Sequence, residues 1–144
     1  MYCPIRIKET DPTHSSINAI RVTYNDVLRL LCKSRRDERK PIKEMLDKLG
    51  WLSLNQMSCE VRLIEVWKSL NVENYCLKDI FEKIQSRNEN RIKLKSGFKS
   101  RLRENSFHYP SVQIWNAAPQ TITHAKSEST ARKAIRDFVK TLPV

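Results

Sequence analysis

Two-metal chemistry on nucleic acid needs carboxylates gathered tightly enough to hold divalent cations. The aspartates here stand at 11, 26, 37, 47, 79 and 137, each on a different expected segment. Tyr24-Asn25-Asp26 offers one carboxylate where a polymerase pair takes two, and a place on the surface of a helix accounts better for Asp26. Thiolate metal sites need cysteines two to four residues apart. The cysteines lie at 3, 32, 59 and 76, and His14, His108 and His124 are isolated from one another. Folding could still bring Cys59 to His108 as a nucleophile pair, but a thiol in an apolar row is more simply a small core hydrophobe. No catalytic residue, metal site or cofactor is therefore expected, and no small-molecule substrate.

The remaining chemistry is electrostatic. The 144 residues carry a formal charge of +11, which favours polyanions: RNA or DNA first, an anionic membrane surface second. Arg35, Arg36, Arg39 and Lys40 form one basic cluster, and Lys93, Lys95, Lys99, Arg101 and Arg103 form the other. Phosphate contact asks for positive charge and little fixed spacing, so these nine residues are the candidate nucleic-acid contacts; a solvated linker has the same composition. Trp51, Trp67 and Trp115 could stack on unpaired bases. Trp67 and Trp115 lie in helical apolar rows and read as core, whereas Trp51 sits at a turn.

What must position these groups is a set of helices. The stretch 49–71 organises the chain. Gly50 suits a helix C′ position, Ser53 an N-cap, and Gln56 the far side of a capping box. Leu54, Met57, Val61, Ile64 and Trp67 form one apolar row, and Cys59, Leu63, Val66 and Leu70 another, which predicts a central helix over 53–70 covered on more than one side. Upstream, Ile17, Ile20, Tyr24, Val27, Leu28 and Leu31 predict a helix over about 16–33. Pro41 opens a second, with Ile42, Met45, Leu46 and Leu49 as its apolar face. Leu77, Ile80, Phe81 and Ile84 suggest a short helix. Phe107 to Ala118 fits another, with Pro110 in its first turn. Ser127 or Ser129 caps a last one bearing Ala131, Ala134, Ile135, Phe138 and Leu142.

Between them, Lys83 to Arg103 holds eight basic residues and one acid, Glu89, with few apolar residues to offset the entropy of ordering; a flexible arm is expected. Only two glycines, Gly50 and Gly97, argue against hairpin-rich β folds and phosphate-cradling loops. No apolar run approaches the ~20 residues of a membrane span. The start, Met1-Tyr2-Cys3-Pro4, lacks a secretion signal, so a cytoplasmic or nuclear chain with reduced thiols is expected.

The residues also carry a resemblance. Leu49-Gly50-Trp51-Leu52-Ser53-Leu54-Asn55-Gln56, followed by Val66-Trp67-Lys68-Ser69-Leu70-Asn71-Val72-Glu73-Asn74-Tyr75, resembles the extreme C-terminal region of reverse transcriptases from non-LTR (LINE-type) retrotransposons of animals. Ser106-Phe107 with Ile114-Trp115-Asn116-Ala117-Ala118-Pro119 is similar to that family's "SF…LWN…P" segment, and Ala134 to Pro143 to its closing residues. Ile20-Arg21-Val22-Thr23-Tyr24-Asn25-Asp26 with Leu28 to Leu31 is similar to the segment that follows the polymerase thumb. The likeness spans roughly residues 17–143. It implies a helical appendage downstream of a polymerase that copies RNA into DNA. The parent's endonuclease, fingers, palm, aspartate dyad and terminal Cys/His knuckle have no counterpart here, so no catalytic residue carries over.

These readings lead to a mainly α chain: a single irregular helical domain of five to seven helices. An irregular arm occupies 1–14, a helical region 15–85, a flexible basic loop 86–105, and C-terminal helices of the same domain 106–144. The expected function is that of a non-catalytic reverse-transcriptase remnant with at most sequence-nonspecific nucleic-acid binding. The alternative is a helical protein–protein module, self-associating through apolar surface on the first helix or at Trp51 that lost domains once covered.

Overall fold

The computed structural model describes residues 13–84, 91–95 and 107–143. It is mainly helical, with six α-helices among those residues: α1 (Thr13–Leu31), α2 (Ile42–Leu49), α3 (Leu54–Asn71), α4 (His108–Ala117), α5 (Gln120–Thr123) and α6 (Glu128–Lys140). A 3-10 turn at Arg36–Glu38 and a two-stranded antiparallel sheet, β1 (Phe81–Lys83) with β2 (Ile92–Leu94), complete it. The chain divides into two compact units, Pro4–Asn55 and Gln56–Pro143, and the division falls in the first turn of α3.

In the first unit α1 and α2 pack around Leu28, Met45, Leu46 and Leu52, all buried. Helix α1 runs three residues further upstream than its apolar spacing predicts and ends two sooner. Helix α2 stops as Gly50 predicts. Gly50 takes φ +65°, its N–H bonds to the Asp47 carbonyl, and the Trp51 N–H reaches back to the Leu46 carbonyl. This pair of bonds satisfies carbonyls a helix end leaves open. Pro41 stands one place earlier than expected, as the N-cap rather than inside the first turn, and its carbonyl accepts from Met45 N–H.

In the second unit the buried row of α3 is Gln56, Cys59, Leu63 and Val66, with Trp67 and Ser69 beside it. Val61 is exposed, so the row through Leu54 and Val61 is not covered along its length and α3 is narrower in burial than its composition suggests. The Trp67 indole N–H donates to the Ala125 carbonyl (3.1 Å), and the Gln56 amide nitrogen donates to the Leu142 carbonyl (2.9 Å). Ser127 caps α6, its hydroxyl accepting from Thr130 N–H at 3.3 Å. The face of α6 is Ala131, Ile135 and Val139; the last completes a four-residue step that the sequence pattern had not included.

Two expectations change in this unit. Residues 77–80 form turns, and Phe81–Lys83 is a strand rather than the end of a short helix. The basic stretch expected to be a flexible loop contains its partner strand. Phe81 faces Leu94, Glu82 faces Lys93, and Lys83 faces Ile92. The ladder continues through Ile84 N–H to the Arg91 carbonyl and Lys95 N–H to the Ile80 carbonyl. Ile92, Leu94 and Phe81 are buried, so three apolar side chains offset the ordering of a short ribbon. The rest of the expected loop, 86–90 and 96–105, lies outside the described residues, as does the arm up to residue 12.

Candidate nucleic-acid interface

The first basic cluster belongs to the connector between α1 and α2. Arg35 leads into the 3-10 turn and Arg39 leaves it in the left-handed region, φ 46°. The turn bends the chain so that the four cations share one short loop. Two of them are engaged. The Arg36 guanidinium donates to Asp26 Oδ2 at 2.5 Å, and the same carboxylate takes Arg29 at 3.4 Å. Lys40 Nζ lies 2.7 Å from Glu38 Oε2. That hydrogen bond, with a second from the Ser34 hydroxyl, holds the Glu38 carboxyl below its usual range, and the same contact raises Lys40. Arg35 and Arg39 are exposed and have no carboxylate partner among the described residues.

The second cluster is divided. Lys93 stands on the exposed side of β2, 3.4 Å from Glu82 on β1, and Lys95 lies 3.3 Å from Asp79. Lys99, Arg101 and Arg103 lie outside the described residues. Exposed pairs of this kind are worth only about 0–1 kcal/mol, so a phosphate can displace the carboxylate at little cost. The structure thus turns part of the expected contact set into local ion pairs without removing the cations from the surface.

Two further features lie outside the basic clusters. Arg21 and Asn25, one turn apart on α1, line a cleft of about 330 Å³ together with Tyr24, Ile42, Ser53, Leu54 and Asn55. The Tyr24 hydroxyl donates to the Leu52 carbonyl at 2.5 Å, and burial pushes its phenol above the ordinary value. In the second unit Arg62 is half-buried on α3, its guanidinium 5.7 Å from the Phe107 ring centroid; its Nε has no hydrogen-bond partner among the described residues and desolvation lowers its affinity for the proton. Arg21, Asn25 and Arg29 step by four along the side of α1 opposite its apolar stripe, so the sequence marks that polar row though not the cleft; no periodicity singles out Arg62.

Trp67 and Trp115 are buried, as their rows predict. Trp51 is 41% exposed, its ring stacked on Tyr24 with centroids 6.2 Å apart. One ring face is therefore used within the chain. Cys59 is buried, Cys32 is half-buried with its thiol 3.8 Å from the Met45 carbonyl, and Cys76 is exposed. Among the described residues no group of three or more His, Cys, Asp and Glu side chains gathers to hold a metal ion. None of the helices among the described residues is long and apolar enough to cross a membrane.

No family model, curated protein or solved structure matches this chain.

Proposed function

We propose that the chain is a non-catalytic helical piece descended from the C-terminal region of a LINE-type reverse transcriptase, and that it contacts RNA or DNA without sequence preference. The observation that carries the contact is the connector of Arg35, Arg36, Arg39 and Lys40, folded into one exposed loop on a chain of charge +11. Descent is supported by the order of the five matching segments in the sequence. The non-catalytic reading is supported by the use of the acids: Asp26, Glu38, Glu60, Glu65, Asp79, Glu82 and Glu128 all lie against arginine or lysine.

Titration of a labelled 30-mer across salt concentrations tests the contact. Five phosphate contacts give a log–log slope of about −4 to −5. Arg35→Ala with Arg39→Ala is expected to reduce that slope by about 2, on the basis of roughly 0.9 per contact. Absence of binding at low salt rejects the reading.

A second reading, a protein-interaction module, is favoured by a different observation. Ile20, Val27, Leu30 and Leu31 on α1 are exposed by 59, 40, 77 and 50%. Apolar residues contiguous on one helix face promote association more than the same residues scattered.

A further inference from the structure

We infer that α1 pairs with α1 of a second copy of this chain. The inference rests on the protein-interaction reading and names its partner. Ile20, Val27 and Leu30 fall on a seven-residue repeat, while the exposed Val22 lies off it. Ile20 and Val27 occupy one repeat position, Thr23 and Leu30 the position three residues on, and all four are exposed. Tyr24 and Leu31 border the seam on one side, Ala19 and Asp26 on the other. That spacing matches a facing helix rather than a strand or an irregular loop. β-Branched Ile20 and Val27 at the first position with leucine at the second, here Leu30 alone, is the choice that favours two helices over three or four. Thr23 does not break the seam, because its hydroxyl donates to the Ala19 carbonyl of its own helix at 3.0 Å and leaves the methyl group for the partner.

Charge decides between a second copy and a charged partner. The seam offers no cation or free anion: its borders are Tyr24, Leu31 and Ala19, and Asp26 is already held by Arg29 and Arg36. An acidic or basic helix would gain nothing there. A second copy meets apolar against apolar with no like charges directly opposed, although the net +11 of each chain repels at long range. The seam is about two heptads of a helix ~28 Å long, short of the ~1,200 Å² of a standard interface, so the dimer is weak and concentration-dependent.

Sedimentation equilibrium on the full chain, from micromolar to millimolar concentration, tests this. The mass is expected to rise from one chain to two, and added salt is expected to strengthen pairing by screening the net charge. Salt acts in the opposite sense on nucleic-acid binding. Leu30→Glu, at a side chain mostly in solvent, is expected to weaken pairing at least tenfold with helical circular dichroism unchanged. Val61→Glu, at an exposed apolar residue of α3, is expected to leave pairing intact. A chain that stays monomeric throughout overturns the inference, as does a dimer indifferent to Leu30→Glu or equally broken by Val61→Glu. The wider interaction reading fails separately, if dilute wild-type and Leu30→Glu chains bind equally little of an apolar-surface dye. A benzophenone side chain at position 30 that crosslinks only within its own chain means the row is covered internally, which also overturns the pairing.

Discussion

Asn116 on α4 holds the backbone of Ile92 on β2 by both of its polar groups. Its carboxamide oxygen accepts from Ile92 N–H at 2.9 Å, and its nitrogen donates to the Ile92 carbonyl at 3.1 Å. The side chain thus does for β2 what a further strand would do, satisfying the donor and acceptor of one residue. Ile92 itself is buried, so the strand is held by its side chain and by Asn116 together. Asn116→Ala is expected to cost about 1–3 kcal/mol, because the Ile92 groups lose their partners next to a buried side chain. Hydrogen exchange checks it locally: the Ile92 amide should lose protection while amides of α1 keep theirs. Unchanged exchange at Ile92 would show that the clamp is dispensable.

Gly50 ends α2 at φ +65°, and a Cβ built there meets nothing within 4 Å. Substitution cost therefore comes from backbone strain alone. Gly50→Ala is expected to destabilise by about 1–2 kcal/mol, and Gly50→Asn by less, because asparagine tolerates the left-handed region. Urea midpoints of the two variants measure the difference. Equal loss in both would point to an unseen steric contact.

How far the sequence alone carries the fold follows from these positions. Gly50, the Ser127 cap and the buried Trp67 and Trp115 were legible, because a left-handed turn, a capping hydroxyl and an apolar row each leave a local mark. The β1–β2 ribbon was not. Three residues per strand are too few for alternation to emerge, and Leu77, Ile80, Phe81 and Ile84 also fit helical spacing. Pairing of Phe81 with Leu94 is a non-local choice, decided by what α4 offers through Asn116. The basic clusters were legible as composition, but their neutralisation was not, since Asp26 meets Arg36 only after the chain turns at residues 32–33. The α1 stripe was read correctly as helical; that Leu28 turns inward while Leu30 and Leu31 face solvent depends on which side packs.

The three indoles differ enough in exposure to be told apart in solution. Trp51 is 41% exposed, while Trp67 and Trp115 are buried. Acrylamide should quench one emitting component strongly and the remainder weakly, and Trp51→Phe should remove the quenchable component. Phenylalanine retains the ring stacked on Tyr24, so the stability loss is expected to stay below about 1 kcal/mol. If a 30-mer shields that component from acrylamide, Trp51 lies within the proposed nucleic-acid contact; if quenching is unchanged at saturation of binding, the proposed contact does not include Trp51.

Tyr75 supplies a test at alkaline pH. Its hydroxyl donates to Glu65 Oε2, and the ring lies 5.7 Å from Lys68 Nζ. The Glu65 carboxylate favours the protonated phenol and pushes its pKa from 10.0 up to about 12. The sign follows from linkage. The folded chain holds this proton more tightly than the unfolded chain, so the stabilisation is fully present below the unfolded value. It diminishes as pH rises between the unfolded and folded values and is absent above about 12. Difference titration of phenolate absorbance against Tyr75→Phe should isolate this group as the late-titrating tyrosine. Glu65→Gln keeps an acceptor but removes the charge, and it should bring the transition back toward the ordinary range. A Tyr75 that titrates normally in the wild-type chain would mean that the hydrogen bond to Glu65 does not persist in solution.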